Sequence, residues 1–136
     1  MSQSILVPYL SFQGTCEEAL NLYKDVFNGK LEIVNRYDIP AMKAPENYKN
    51  KILHAVLTFG NNTIMACDVF PGRPVQTDGG NIKLSVSLKD QEETKRIFNK
   101  LADGGNITMP LDKQFFAALH GHVTDKFGTR WLLNCD

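Results

Sequence analysis

The amino-acid sequence predicts an α+β fold of two β-α-β-β-β units, with curved mixed sheets around a shared cavity and the helices on the outer faces. The first observation behind this prediction is an internal repeat, because the end of the chain repeats its middle at a constant spacing of 68 positions. Five identities at one spacing indicate duplication of one unit. The identical pairs are His54 and His122, Phe59 and Phe127, Gly60 and Gly128, Cys67 and Cys135, and Asp68 and Asp136.

The second observation is that the front of each unit also repeats, at a spacing of 75 positions. Thr15 corresponds there to Asp90, and Tyr23 to Phe98. The spacing between corresponding residues decreases from 75 at the front of the units to 68 at the back. The first unit therefore holds about seven extra residues, which we assign to residues 39–51. The predicted organisation is a single domain over residues 1–136, with units 1–69 and 81–136 joined by a Pro- and Gly-rich linker, 70–80.

Composition argues against several classes of partner. The chain has 136 residues, which fits one domain, and its 15 basic and 15 acidic residues leave no net charge. Balanced charge argues against nucleic-acid and acidic-membrane partners. No apolar run reaches the ~18 residues of a membrane span, and residues 1–10 lack a basic leader with a cleavage pattern. We therefore expect a cytoplasmic protein that does not enter a membrane.

The three cysteines, Cys16, Cys67 and Cys135, are widely spaced and form no CxxC pair. This pattern predicts reduced thiols rather than a disulfide framework. Cys16 lies in the first turn of a predicted helix, where the helix dipole could lower its pKa. No basic residue stands beside it in the sequence, so we do not assign it as a nucleophile.

Each unit begins with a strand that is followed by a well-marked helix. In the first unit the strand covers residues 4–12, and a capping box at Thr15 to Glu18 predicts the helix start. Asn28-Gly29 predicts its left-handed end. The second unit repeats these signals with a strand at 82–88, a capping box at 90–93 and a Gly104-Gly105 stop. Further strands are predicted at 31–39, 52–60 and 63–70, and near 106–111, 115–124 and 130–135.

Alternation along the first strand of each unit assigns its two faces. The apolar positions match an apolar stripe on each helix, so we place them under the helices, and the polar positions then face the cavity. The residues under the helices are Pro8, Leu10 and Phe12, with Ile82, Leu84 and Val86. The residues facing the cavity are Tyr9 and Ser11, with Lys83 and Ser85.

Three stretches, residues 8–27, 52–68 and 99–135, resemble the PhnB-like branch of the vicinal oxygen chelate superfamily, which includes glyoxalase I, bleomycin- and fosfomycin-resistance proteins and extradiol dioxygenases. VTDKFGTRW, at 123–131, is the most specific piece. The resemblance implies a small-molecule cavity and, in many relatives, a divalent metal. The implied ligand positions fall at Val7 or Pro8, Asn81, Ile64 and Leu132, which cannot supply three donors. We therefore predict no metal and no cofactor.

The branch is often labelled as 3-demethylubiquinone methyltransferase-like. The sequence shows no glycine-rich turn after a strand with an acidic residue about twenty positions later, as a methyl-donor site of the Rossmann type would.

The histidines are the main candidates for chemistry. His54 and His122 correspond in the repeat, and His120 shares a strand face with His122. Together they could form a metal or acid-base cluster, or they could simply hydrogen-bond within the sheets. Asp68 could line the cavity, and Phe116 could wall its mouth or pack in the core.

The sequence thus predicts a homodimer that binds a small organic ligand without the usual metal site. The alternatives are a metal-dependent lyase or dioxygenase-type enzyme and a structural dimer module without ligand. No catalytic residue is assigned. On the last strands, the resemblance implies inward positions at Ile64 and Leu132, and period two adds three neighbours. The predicted ligand-binding residues are Tyr9, Ser11, His54, Ile64, Ala66, Asp68, Lys83, Ser85, Phe116, His122, Leu132 and Asn134.

Overall fold

A computed structural model of the chain describes residues 4–75 and 80–136. The chain divides into two compact units, Met1–Val75 and Gln76–Asp136, and the predicted β-α-β-β-β order is confirmed in both. The boundary falls inside the predicted linker, of which residues 76–79 lie outside the described residues. The first unit holds β1 (Tyr9–Phe12), α1 (Cys16–Phe27), β2 (Lys30–Arg36), β3 (Ile52–Phe59) and β4 (Asn62–Asp68), and the second holds β5 (Leu84–Leu88), α2 (Gln91–Ala102), β6 (Asn106–Gln114), β7 (Ala117–Thr124) and β8 (Arg130–Cys135).

Each unit forms its own mixed sheet of four strands. The strand orders are β1-β4-β3-β2 and β5-β8-β7-β6. The first strand of each unit runs parallel to the last one, and the other neighbours are antiparallel. One helix packs on each sheet, so the predicted α+β class is confirmed. Among the described residues, no helix is long and apolar enough to cross a membrane.

The helix cores follow the predicted stripes. In α1 the buried side chains include Ala19, Tyr23 and Val26, as predicted, and in α2 they include Ile97 and Phe98. Asn28 ends α1 with a φ of 53°, which confirms the left-handed stop. The extra residues of the first unit also lie where predicted, because the connection between β2 and β3 contains two 3-10 turns, Pro40–Met42 and Glu46–Tyr48.

The start of α1 differs from the prediction. The Thr15 side chain makes no capping hydrogen bond. Instead, the backbone N–H of Cys16 donates to Oδ1 of Asp68 at 2.9 Å, and the N–H of Ile52 donates to Oδ2 at 2.9 Å. A carboxylate from β4 therefore caps the helix and ties it to β3. In α2 the predicted cap is confirmed, because Asp90 accepts from the N–H of Glu93 at 2.8 Å.

Several strand predictions were too long, among them 31–39, where β2 ends at Arg36, and 82–88, where β5 begins at Leu84. Residues 4–8 precede β1 instead of belonging to it, although the Pro8 carbonyl still accepts from the N–H of Met65. Phe115 and Phe116 lie in the turn between β6 and β7 rather than in a strand. Aromatic residues favour strands, but here the hairpin reverses at this pair.

The two hairpins before the last strands differ in length. In the first unit Phe59 pairs with Asn62, so only two residues form the turn. In the second unit Thr124 pairs with Arg130, and residues 125–129 form a five-residue turn. Phe59 is therefore a strand residue, whereas its partner in the sequence repeat lies in a turn.

This difference shifts the repeat in the fold. The parallel pairs of the two sheets end at Phe12 with Asp68 and at Leu88 with Cys135. Asp68 thus corresponds to Cys135, and Ala66, two residues earlier, corresponds to Leu133. Their antiparallel partners, Ala55 and Gly121, then correspond to each other at a spacing of 66 rather than 68. His54 therefore corresponds to His120 in the fold, and the equivalence of His54 with His122 was wrong.

Gly121 lies between the two histidines of β7 and points towards α2. A Cβ atom on Gly121 would lie 2.8 Å from Cα of Leu111 and 2.9 Å from Cε2 of Phe98. Both distances are far below van der Waals contact. The absence of a side chain thus lets α2 and β6 approach β7 closely at this point.

Candidate functional site on the open sheet faces

We define the open face of each sheet as the face opposite the helix of the same unit. In the second unit, Leu84 and Val86 pair with the buried Trp131 and Leu133, so Ser85 and its neighbours lie on the open face. The predicted faces of Leu84, Val86 and Ser85 are therefore confirmed. The placement of Ile82 under α2 was wrong, because Ile82 precedes β5 and is 69% exposed. Successive rungs of the open face hold Arg130 and Thr124; Ser85, Leu132 and His122; and Ser87, Asn134 and His120. Lys83 directly precedes β5, at the end where Leu84 pairs with Trp131.

Two histidines and an amide form a hydrogen-bonded chain on this face. Nδ1 of His120 lies 2.9 Å from Oδ1 of Asn134, and Nε2 of His120 lies 3.1 Å from Nε2 of His122. An amide oxygen only accepts, so Nδ1 of His120 carries the proton. In neutral His120 the Nε2 atom is then the acceptor, and His122 donates to it.

Phe116 stands beside this chain, next to His120. Its ring meets the His120 ring edge to face, with the centroids 4.9 Å apart and the planes at 81°. The Phe116 side chain remains 51% exposed. The ring of Phe115, in the same turn, meets the Phe116 ring edge to face, with the centroids 5.1 Å apart.

The electrostatic environment of His122 favours its neutral form. Burial lowers the pKa of His122 most, and His120, Lys83 and Arg130 lower it further, because each makes a positive charge on His122 less favourable. His122 is half-buried on the sheet, and the nearest of these groups, Nε2 of His120, lies 3.1 Å from its own Nε2.

This shift predicts an acid-sensitive fold. Because the pKa of His122 is lower in the folded chain than in the unfolded chain, the unfolded chain binds more protons as the pH falls below about 6.5. The free energy of unfolding should decrease there, and His122→Gln should reduce that decrease. Urea unfolding of both proteins at pH 7.5 and 5.5 measures the difference. An identical pH dependence in the variant would contradict the prediction.

The open face of the first unit carries a different polar set. The Tyr9 hydroxyl is hydrogen-bonded to Nδ1 of His54 at 3.1 Å, and the two rings stack with centroids 5.8 Å apart. Ser11 pairs with Cys67, and Tyr9 with Met65, so all of these side chains share the face. Burial of the hydroxyl raises the pKa of Tyr9 to about 12, and Cys67 adds to the effect.

Three predicted site residues lie on the wrong face for a ligand. Ala66 pairs with Leu10, and Asp68 with Phe12, which places both under α1 together with Ile64. All three are almost fully buried, and both Asp68 oxygens are engaged with backbone N–H groups. The resemblance had implied Ile64 as an inward position, and period two had added Ala66 and Asp68. A shift of one residue exchanges the faces of a strand, so all three were placed on the wrong face together.

The corresponding open-face positions on β4 are Met65 and Cys67, which the sequence reasoning missed. It also left out Arg130 and Ser87, although the confirmed alternation of β5 would have pointed to Ser87. Tyr9, Ser11, Ser85, Leu132 and Asn134 do lie on open faces, as do His54 and His122. Lys83 precedes β5, so its place on the open face stays a prediction. Ligand binding by these residues stays a prediction, and so does the clustering of His54 with the other two histidines.

The cysteines are free thiols in the described chain. Cys16 and Cys135 are buried, whereas Cys67 is partly exposed on the open face. Burial raises the pKa of the Cys16 thiol, and Asp68 raises it further. The suggestion that the helix dipole lowers the pKa of Cys16 was therefore wrong, because desolvation and a nearby carboxylate outweigh it.

The residues at the metal positions implied by the superfamily do not suit a metal. Val7, Pro8, Ile64 and Leu132 have no side-chain donor, and Ile64 is buried under α1. Across residues 4–75 and 80–136, no three His, Cys, Asp or Glu side chains are close enough together to hold an ion. We derive no chemistry through a metal.

Comparison with known proteins gives the family. Residues 4–134 match the family model described as 3-demethylubiquinone-9 3-methyltransferase. The chain is 31% identical to Protein YjdN of Escherichia coli over 95% of this chain and 93% of YjdN.

Solved structures agree with this match. PA1353 of Pseudomonas aeruginosa is 37% identical, covers 98% of both chains and has a TM-score of 0.85. A Bacillus cereus protein described as a putative 3-demethylubiquinone-9 3-methyltransferase, PhnB protein, is 28% identical, covers 98% of this chain and 100% of that one, and also has a TM-score of 0.85. The fosfomycin-resistance protein FosX of Mesorhizobium loti, at 8% identity, covers 100% of this chain and 94% of its own, and shares the fold with a TM-score of 0.64. The chain belongs to the 3-demethylubiquinone-9 3-methyltransferase family, which is the PhnB-like branch of the vicinal oxygen chelate superfamily.

Proposed function

We propose that this protein binds a small, planar organic ligand on its open sheet faces without a metal at the usual superfamily positions. The observation that carries the proposal is the composition of the open face in the second unit. It combines an exposed aromatic ring, Phe116, with a hydrogen-bonded histidine chain and the apolar Leu132. Apolar and aromatic walls with a few fixed polar groups are typical of small-molecule sites.

The fold similarity to FosX, a resistance protein, supports a role in handling small molecules. The methyltransferase activity in the family name has no matching feature here. The turn between β1 and α1 is Gln13-Gly14-Thr15, with one glycine, whereas a methyl-donor site of the Rossmann type uses a glycine-rich turn. We therefore propose binding and sequestration rather than methyl transfer.

A planar probe tests the binding proposal directly. We expect 4-nitroanisole to bind the purified protein, as measured by isothermal titration calorimetry. Phe116→Ala should weaken binding about fivefold, the order of one lost aromatic contact. Phe115→Ala is the matched control, because this neighbouring ring does not touch His120 and is fully exposed. Equal effects of the two variants would remove Phe116 from the site, and no binding of planar probes would overturn the proposal.

The metal-dependent alternative makes a different prediction. An enzyme of that type would retain about one equivalent of a divalent metal after dialysis, and the loss of that metal would abolish its activity. Elemental analysis of dialysed protein measures this content. We expect far less than one equivalent per chain, because the usual ligand positions carry residues without donors.

The proposed assembly is a homodimer. Ile5 and Leu6 precede the edge strand β1 with 86% and 99% of their surface exposed, and Ile82 precedes the edge strand β5 with 69% exposed. Large exposed apolar side chains beside edge strands favour burial by a partner. Size-exclusion chromatography with light scattering should give about twice the mass of one chain. A monomer at micromolar concentration would contradict this prediction.

A further inference from the structure

One end of the open face in the second unit is basic. Arg130 pairs with Thr124 in the ladder, and Lys83 and Arg130 each directly precede one member of the parallel pair Leu84 and Trp131. His122 occupies the following rung of the same face. Burial lowers the pKa of His122 most, then His120, and Lys83 and Arg130 lower it further, so both cations are among its charged neighbours.

These cations are not neutralised by carboxylates. Arg130 donates from Nη1 to the backbone carbonyl of Gly80, which carries no net charge. Neither Lys83 nor Arg130 forms an ion pair with an acidic residue in the part of the chain that the structure describes. The carboxylate on the β6 side is Asp112, which pairs with His120 one rung further from the cations. The groups that face His122 are therefore His120, Lys83 and Arg130, with Asp112 beyond His120.

The hydrogen-bonded histidine chain determines which atom of His122 remains available. Asn134 accepts from Nδ1 of His120, and His120 accepts at Nε2 from Nε2 of His122. Neutral His122 then has its lone pair on Nδ1. No hydrogen bond to that atom is present among residues 4–75 and 80–136. A proton acceptor thus stands beside two cations on one open face.

We propose that this end of the face takes a weakly acidic hydroxyl compound, such as a phenol or an enol, and holds it as the anion. The O–H bond of the ligand breaks, and its proton forms a new N–H bond at Nδ1 of His122. The electron pair stays on the ligand oxygen, which Lys83 and Arg130 bind. This inference rests on the proposed small-molecule function and specifies the chemical class of the ligand.

The charges around His122 favour the proton transfer once the ligand is bound. In the empty site Lys83 and Arg130 disfavour a positive His122, as the direction of its pKa shift shows. A bound oxyanion neutralises these cations and adds an attractive partner for the imidazolium. Phe116, in edge contact with His120, provides the aromatic surface against which a planar ring can stack.

The test uses 4-nitrophenol, whose phenolate absorbs visible light, at a pH below the pKa of the free phenol. We expect binding to increase phenolate absorbance at constant pH. Titration calorimetry in two buffers of different ionisation enthalpy should show no proton released to the buffer, because His122 keeps it. Phenolate formation with one proton released would overturn the role of His122. Binding without phenolate formation would overturn the whole inference.

The neutral ether 4-nitroanisole separates this inference from the proposed function. If it binds and 4-nitrophenol binds only as the neutral phenol, the function stands and the inference fails. If neither compound binds, both fail.

Variants locate the groups. His122→Gln should abolish the phenolate signal or shift its proton to the buffer. Lys83→Gln should weaken binding of 4-nitrophenol about tenfold while changing that of 4-nitroanisole little, since a charge-assisted contact is lost. Lys100→Gln, an exposed lysine on α2, is the charge-matched control. Circular dichroism checks the fold of each variant. Lys83 precedes β5, so we expect Lys83→Gln to fold normally and to test the site even if His122→Gln is unstable. Equal effects of Lys83→Gln and Lys100→Gln would overturn the site.

Discussion

Replacing Asp125 with alanine should lower the free energy of unfolding of the second unit by about 4 kcal/mol, because each buried donor left without an acceptor costs about 1–3 kcal/mol. The Asp125 carboxylate accepts from the N–H groups of Phe127 at 2.9 Å and Thr129 at 3.1 Å. It also accepts from Nε1 of the buried Trp131 at 2.8 Å. One side chain, only 3% exposed, therefore organises the whole five-residue turn before β8.

The single tryptophan of the chain, Trp131, reports this effect directly. Urea unfolding followed by tryptophan fluorescence gives the free-energy change in the second unit. Asp136→Ala is the matched control, because Asp136 is exposed at the end of the chain and should change stability by less than about 0.5 kcal/mol. A loss below about 1 kcal/mol for Asp125→Ala would show that water replaces the carboxylate.

Asp68→Ala should destabilise the first unit by about 3 kcal/mol. Its two oxygens accept from the first residue of α1 and the first residue of β3, so the substitution orphans two buried N–H groups and opens a small void. All four tyrosines of the chain lie in the first unit, so near-ultraviolet circular dichroism follows its unfolding. The backbone carbonyl of Asp68 still accepts from Tyr37, which keeps part of the network intact.

Thr15→Ala is the informative control for this experiment. If Thr15 capped α1, as its position in the sequence suggests, its removal would cost about 1 kcal/mol. The Thr15 side chain makes no capping bond, so we expect almost no change. A larger loss for Thr15→Ala than for Asp68→Ala would assign the cap to the threonine after all.

The order of strands and helices could be predicted from the sequence because local signals mark it. Helix stripes, the Asp90 cap and the Asn28 stop act within a few residues, and the structure confirms each of them. The strict alternation of β5 also identified Ser85 correctly as an open-face residue. Such signals depend only on residues that are close together in the sequence, so they can be read without knowing the fold.

The faces of β4 could not be predicted in the same way. Repeat identities such as Phe59 with Phe127 align the two sequences. The turn before β8 is three residues longer than the turn before β4, however, so residues aligned in sequence do not occupy equivalent positions in the two sheets. Only hydrogen-bond pairing shows that Asp68 lies under α1 and Cys67 on the open face. The aspartate that replaces the Thr15 cap is likewise 52 residues away from Cys16 in sequence, where no local pattern reveals it.

Gly121 connects the core to the open face in a way that bears on directed evolution. His120 and His122 flank the one position of β7 where Phe98 and the β6 backbone leave no room for a methyl group. We therefore expect the size of the side chain at position 98 to change where the two imidazoles stand on the open face. Libraries that vary Phe98 should yield altered ligand preference without any substitution on the binding surface itself.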